Sequence, residues 1–333
     1  MPSPASASCW RERPGMSGAA KAKVEVALAY DQRADAGATA VLRRLLGVIL
    51  ENLPGALEGS DPEYLHQLRI AVRRSRTVQR QLRGAFPVLQ LPGFRSEFRW
   101  LQRVTGDARD LDVYVEELDD LARMLPAGIR GDLDPLRPVL AHGRLTARAE
   151  MTTALRSARV QALLEDWEQL LESLVELPLD DRPIATRPLG AAVGRRIRKV
   201  YGRVLAMGAA IDDDSPATDY HELRKKGKEL RYLLELFAVN LFEEEVVSSA
   251  IAALKSVQDV LGRHQDREVQ VGMLRSVAGE VATLPGGPAA CMAMGVLVDR
   301  LGADERAARR EFGERFAALS DDWRREVFMQ TFV

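Results

Sequence analysis

Cysteine is nearly absent from this chain: Cys9 and Cys291 are the two in 333 residues. They form no spaced cluster, which excludes a disulfide framework and a cysteine metal site and fits a reducing compartment. No run of 18 apolar residues occurs, so no transmembrane helix is predicted. The first 18 residues are rich in Pro, Ser, Ala and Gly and lack the apolar core of about 7–15 residues that a signal peptide needs. They read as part of a disordered leader over residues 1–23, with Met16 an alternative start to Met1, and a cytoplasmic location is expected. Alternating β-branched runs are scarce, so strands are not expected. There is no P-loop, no dinucleotide fingerprint and no His-Glu-x-x-His motif. His264 and Asp266 alone are too little for a metal site, and no catalytic constellation can be argued. The expectation is a non-enzymatic chain with no catalytic residue, no metal and no cofactor.

What is abundant is Ala, Leu, Arg and Glu, all good helix formers, which predicts an all-α protein. The chain also repeats itself. Residues 66–76, HQLRIAVRRSR, match 221–231, HELRKKGKELR, at an offset of 155. Residues 101–110, LQRVTGDARD, match 257–266, VQDVLGRHQD, at 156, and Arg144 to Trp167 matches Arg300 to Trp323 at the same offset. One inserted residue explains the series. The reading is a unit over 24–333 built of two tandem halves, about 28–177 and 183–333, each a helix bundle. Breaks at Pro54-Gly55, Gly59-Ser60, Gly84, Pro92-Gly93 and Gly106 place helices at about 24–57, 61–84, 93–105, 109–125 and 130–175. The second half is expected to follow with 186–210, 216–240, 243–262, 265–283 and 287–328. The apolar stretch Gly286 to Val298 reads as a buried helix, and Asp212-Asp213-Asp214 as an acidic loop. Matched cations stand out within the repeat. They include Arg44 with Lys199, Arg99 with Lys255, and Arg159 with Arg315. Shared core packing explains Gly47/Gly202 and Trp167/Trp323 but not matched cations.

The helix near residue 61 carries a stripe. At about 100° per residue, His66, Arg69, Arg73, Arg76, Arg80 and Arg83 fall in an arc of about 100°, with Leu68, Ala71, Val72, Val78 and Leu82 on another face. At 1.5 Å per residue the stripe is roughly 25 Å long. In the second copy His221, Arg224, Lys228 and Arg231 share a face, while Glu235 stands where Arg80 would be. A solvated helix face is the ordinary reading of a charge run, but such faces interleave both signs. From His66 to Arg83 there are six Arg and no acid. Like charges so arranged need a compensating anion or an acidic neighbour. Glu116, Glu117, Asp119 and Asp120 are candidates for the latter. Guanidinium groups suit phosphate because they donate in pairs and stay charged, and the histidines could add charge as pH falls toward 6. Nucleic acid is the rival polyanion. The stripe has no stacking aromatic on its face, and the pI of about 6.5 lies below the usual basic signature. A generic polyanion binder, and less so a metal binder or a scaffold for an acidic partner, complete the alternatives.

The pattern His-x-x-Arg-x-x-x-Arg/Lys-x-x-Arg at 66–76 and 221–231, with Leu230-Arg231-Tyr232 and Glu235, resembles the CHAD domain, the conserved histidine α-helical domain. Gly106 to Val113 and Leu261-Gly262…Asp266 look like that family's characteristic turn. The resemblance implies two four-helix bundles related by a pseudo-two-fold around a basic central groove that binds inorganic polyphosphate. By motif match His66, Arg69, Arg73, Arg76, His221, Arg224, Lys228 and Arg231 would line it. Arg80 belongs to the same stripe, and Arg44, Lys199, Arg99, Lys255, Arg159 and Arg315 follow from the repeat. The expected partners are polyphosphate and granules containing it, with neither membrane nor nucleic acid. The Glu-x-Glu-x-Lys signature of the triphosphate-tunnel (CYTH) domain that often precedes this family is missing, so a stand-alone CHAD protein is expected.

Overall fold

The structure, a computed structural model, describes residues 18–333 apart from Asp213 and the side chain of Trp323. Met1, Met16, Cys9 and the centre of the expected acidic loop lie outside the described residues, as does the ring of the Trp323 repeat match. Among the described residues the chain is helical, with one isolated bridge between Arg33 and Pro188 and no strand. In the first half α1 (Ala34–Glu58), α2 (Pro62–Gln81), α3 (Leu91–Val104), α4 (Gly106–Arg123), α5 (Leu136–Leu155) and α6 (Ala158–Ser173) follow one another. The second half has α7 (Leu189–Ala209), α8 (Ala217–Leu233), the short α9 (Val239–Leu241), then α10 (Glu244–Ala282), α11 (Gly287–Ser320) and α12 (Asp322–Thr331). No helix of the described residues is long and apolar enough to cross a membrane.

Several expected boundaries are corrected. Residues 22–28 are extended, not helical. Ala22 and Val24 are buried between exposed Lys21, Lys23 and Glu25, the period-two pattern of an extended segment. The amide of Ala22 donates to Gln67 (2.8 Å), and Asn52 Nδ2 donates to the carbonyl of Ala20 (2.8 Å). Helix α1 runs through Pro54 and ends at Gly59, whose φ of 72° closes it in the left-handed region that glycine adopts without strain. Gly55 lets the Tyr64 ring approach the α1 backbone, where a Cβ would collide with the ring. The single helix expected over 130–175 is a 3₁₀ segment, Ala127–Leu133, followed by α5 and α6, which break at Arg156-Ser157. Conversely α10 continues through Gly262 where a break was expected. Asp321 starts α12 instead by accepting a hydrogen bond from the Arg324 amide (3.1 Å).

Packing is closest within each half: α1 lies on α2, α7 on α8, and α10 on α8 and α11. The cores, however, are not divided by half. One continuous apolar cluster joins α1–α3 and α6 to α7, α8, the start of α10 and the end of α11, with Trp167 stacked on Phe86 and met at an angle by Phe94 and Phe98. A second joins the tips of α4 and α5 to the end of α10 and the start of α11, and there Ala290, Ala293, Met294 and Leu297 are buried as expected for 286–298. The segment between the halves is fastened. Arg182, with its side chain fully buried, donates to Ala85 O (3.0 Å), Leu177 O (2.9 Å) and Asp35 Oδ2 (2.5 Å).

Candidate functional site: the paired basic helices

Helix α2 starts where the Asp61 side chain accepts from the Glu63 amide (2.7 Å), with Pro62 in the first turn, where its missing N–H costs nothing. Buried Leu65, Leu68, Ala71, Val72 and Val78 fix one face on the core, which turns the cationic stripe toward α3 and α4. Arg69 is 8% exposed. Its Nη1 donates to Gln102 O (2.9 Å) and Thr105 Oγ1 (3.0 Å), while its Nε is buried without a partner. Arg76 donates to the Gln102 side chain. In α8 the equivalent face turns toward α10: Nδ1 of His221 meets Gln265, and Arg224 lies 3.7 Å from Asp266.

The two helices run antiparallel against each other, clasped by two ion pairs. Arg74 of α2 holds Glu235, just past α8, at 2.5 Å, and Arg80 of α2 holds Glu229 of α8 at 2.9 Å. At the repeat offset, 74 corresponds to 229 and 80 to 235. The two pairs therefore join corresponding sequence positions with the charges exchanged.

This pairing gathers cations from both helices. Burial, then the charge of Arg73, lowers the Arg69 pKa to about 10. Burial and then Arg224, Arg73 and Arg231 lower Lys228 to about 7. Burial also lowers Arg224, opposed by Asp266 and helped by Arg73. Arg73 thus acts on cations of both helices. His66 is lowered by burial and then by Arg109, with Arg73 and Arg69 adding to it, so it is neutral at pH 7. The Nε atoms of Arg73 and Arg224 are also buried without a hydrogen-bond partner, while Arg231 Nε lies 3.4 Å from Glu235 Oε1. The acids that face this cluster are Glu235, paired with Arg231, and Asp110 of α4 and Asp266 of α10, the last two raised by burial against the pull of Arg69 and Arg224 respectively. Tyr114, pushed up to about 12 by burial and then by Asp110, Glu117 and Asp266, lies between them.

The expected acidic neighbours do not compensate the stripe. Asp119 binds Arg137, Asp120 binds Arg123, Glu116 faces Arg109, and Glu117 accepts from Gln270. Asp119 leaves α4 on the face opposite Asp110, whereas Glu117, two turns on from Asp110, shares its face but is taken up by Gln270. The outer candidates also scatter. Arg159 is held by Glu97 (2.6 and 2.9 Å) over the Trp100 ring, and Arg315 by Glu311 (2.9 Å). Arg44 pairs with Glu51 (3.3 Å), and Lys255 lines a separate recess beside Arg74 and Glu235. Arg99 acts on Arg76, together with Arg80 and Arg95. Lys199 lies beside Arg80 at the far end of α2. The sequence reading missed Tyr114 and Thr105, and placed Arg109, Asp110 and Asp266 in the family turn without a part in the cation cluster. The offset of 156 that pairs Asp110 with Asp266 was the available signal for those two.

The two copies of the expected family turn differ. In the first, Gly106 opens α4, and buried Asp112 accepts from Arg144 (2.7 Å) and Arg148 (3.2 Å). In the second, Gly262 to Asp266 is uninterrupted helix. Among the described residues no group of three or more His, Cys, Asp or Glu is placed to hold a metal ion. His264 is instead buried, stacked on Tyr220 with centroids 4.6 Å apart and 2.7 Å from Glu305.

The sequence model of the family described as the CHAD domain matches residues 40–275. The crystal structure of the CHAD domain from the plant Ricinus communis superposes with a TM-score of 0.73 at 26% identity, covering 90% of this chain and 96% of that one. PptA from Streptomyces chartreusis shares the fold, with a TM-score of 0.66 at 19% identity over 86% of this chain and 99% of that one. Two uncharacterized proteins of Mycobacterium tuberculosis are each 29% identical over 232 residues, 65% of this chain and 42% of theirs. The chain thus spans less than half the length of the curated relatives it matches.

Proposed function

This chain belongs to the CHAD domain family, one associated with polyphosphate binding in general, and from that premise we propose that it binds inorganic polyphosphate without catalysing a reaction on it. The polyanion lies in a basic groove floored by α2 and α8 and walled by α4 and α10. The two halves contribute to it as pseudo-two-fold mates, a reading supported by the exchanged ion pairs Arg74–Glu235 and Arg80–Glu229.

The observation that carries this reading is the cluster of Arg69, Arg73, Arg224, Lys228 and Arg231. These are five cations from two helices, partly buried and acting on one another, faced by three acids, Asp110, Asp266 and Glu235. Confining like charges is unfavourable unless an anion joins them, and Lys228 has given up much of its basicity for its place there. Phosphate oxygens along a chain supply repeated acceptors for guanidinium forks. A long polyanion is favoured over a single phosphate because the cations run along both helices. The test is Arg73→Glu, which sits between the two sets. It should weaken binding of long-chain polyphosphate at least tenfold while the helical circular dichroism is kept. Unchanged affinity in a folded Arg73→Glu protein would remove the groove from the account.

A further inference from the structure

Helix α7 was not part of the basic stripe, yet from Leu189 to Ala209 it contains no Asp or Glu and carries Arg195, Arg196, Arg198, Lys199 and Arg203. At about 100° per residue, Arg196, Lys199 and Arg203 fall within an arc of about 60°. That arc borders a recess of about 610 Å³ closed by the end of α2 and by α8. Arg80, Arg83 and Lys226 complete its cationic lining.

The only carboxylate in the lining is Glu229. It is 3% exposed, and its Oε2 is held by Arg80 (2.9 Å) and Lys226 (2.8 Å). Its charge is thereby matched within the wall. Among the described residues no carboxylate forms an ion pair with Arg83, Arg196, Lys199 or Arg203. Arg196 is half-buried and its pKa is lowered, first by burial and then by Arg83 and Arg195. Four uncompensated cations, three on α7 and Arg83 just past the end of α2, repel each other around one concavity in the empty protein.

The recess is also one-sided. At the repeat offset, Arg196, Arg203, Arg83 and Lys226 correspond to Val41, Val48, Ala238 and Ala71. Of this group only Lys199, matched by Arg44, has a cationic counterpart. The repeat therefore does not duplicate this feature, to which both halves contribute cations, and the symmetry of the central cluster does not account for it.

We propose that the recess between α7, α8 and the end of α2 is a second anion site, which takes a compact group of linked phosphates. Its shape and charge suit a di- or triphosphate, and two sources share that chemistry: a free short phosphoanion, or the end of a long chain leaving the central cluster past Arg76 and Arg80. The proposal does not depend on the central groove.

The test uses the full chain and inorganic triphosphate, followed by calorimetry and thermal shift. Three variants are compared: Arg73→Glu/Lys228→Glu, Arg196→Ala/Arg203→Ala, and all four changes together. The first should still bind triphosphate, and the combined variant should not. The alanine variant should melt no lower than the parent at low salt, because it removes repulsion. If Arg73→Glu/Lys228→Glu binds as well as the parent and Arg196→Ala/Arg203→Ala loses binding, this site stands and is where triphosphate binds. Residual binding that ignores Arg196→Ala/Arg203→Ala, or none at all in a folded Arg73→Glu/Lys228→Glu protein, would overturn the proposal. Long-chain polyphosphate then separates the sources. An affinity at least fivefold weaker in Arg196→Ala/Arg203→Ala identifies the chain end, and an unchanged one identifies a free short anion.

Discussion

Lys228 sets the pH behaviour of the central cluster. With a folded pKa of about 7, it is mostly protonated at pH 6 and mostly neutral at pH 8. A polyanion favours the ammonium form, so affinity should rise from pH 8 to pH 6 with proton uptake, by at most about tenfold per pH unit, the limit for one linked proton. Lys228→Met should lose most of that slope in calorimetry run in buffers of different ionisation heat. His66, held below its ordinary value, adds its charge only lower in the range. A lysine thus joins the histidines expected from sequence, and it was not foreseen because burial among Arg224, Arg73 and Arg231 is invisible in a helical wheel. For stability without ligand the sign is opposite. The unfolded lysine keeps its proton to about pH 10.4, so between about pH 7 and 10 the unfolded state binds more protons, and this group makes stability rise with pH. Urea melts at pH 7 and 9 should show a smaller rise in Lys228→Met. A second residue, Asp35, is the counter-charge of the fully buried Arg182. Asp35→Ala should cost about 3–5 kcal/mol, measured by urea denaturation. No pattern in the sequence pointed to Arg182, since a lone arginine between two prolines' worth of loop carries no periodicity.

At the scale of elements, the glycines of α10 and α4 do different work. Gly262 sits inside a continuous helix with open space where a Cβ would go, so Gly262→Ala should raise stability by about 0.5–1 kcal/mol. Gly106, its near counterpart, opens α4 beside the Arg69 guanidinium, and alanine there gains less. Thermal melts of the two variants check the difference. The clasp between α2 and α8 makes its own prediction. Glu229→Gln leaves Arg80 and Lys226 unpaired, but Arg80 can turn to solvent, so the loss should be about 1–2 kcal/mol. Polyphosphate should restore more melting temperature to this variant than to the parent, because the added anion supplies the missing charge. Helix positions and the basic face of α2 were legible from punctuation and periodicity. The continuity of α10 was not, because a single glycine costs a long packed helix little. The extended segment at 22–28 was legible in its alternation but was absorbed into a predicted helix.

At the scale of the molecule, the repeat located both basic helices and their equivalence, which cations matched in frame made readable. How the halves meet was not readable. The exchanged ion pairs need two residues per half six positions apart on facing helices, and the second copy carries the opposite sign. The shared cores follow from the same meeting, since each half leaves an apolar face that only the other covers. The outer candidates Arg159 and Arg315 matched in frame as well, yet each is held by a carboxylate. A repeat match reports equivalent position and not exposure to ligand. The central claim is that cations from both halves hold inorganic polyphosphate in preference to other polyanions. Its most direct test is fluorescence anisotropy with labelled long-chain polyphosphate at about 150 mM salt, where weak screened contacts are already reduced. Single-stranded DNA, RNA and duplex DNA compete at matched phosphate. The account predicts tight binding that none of them displaces at equal phosphate. Equal or stronger displacement by nucleic acid would contradict it.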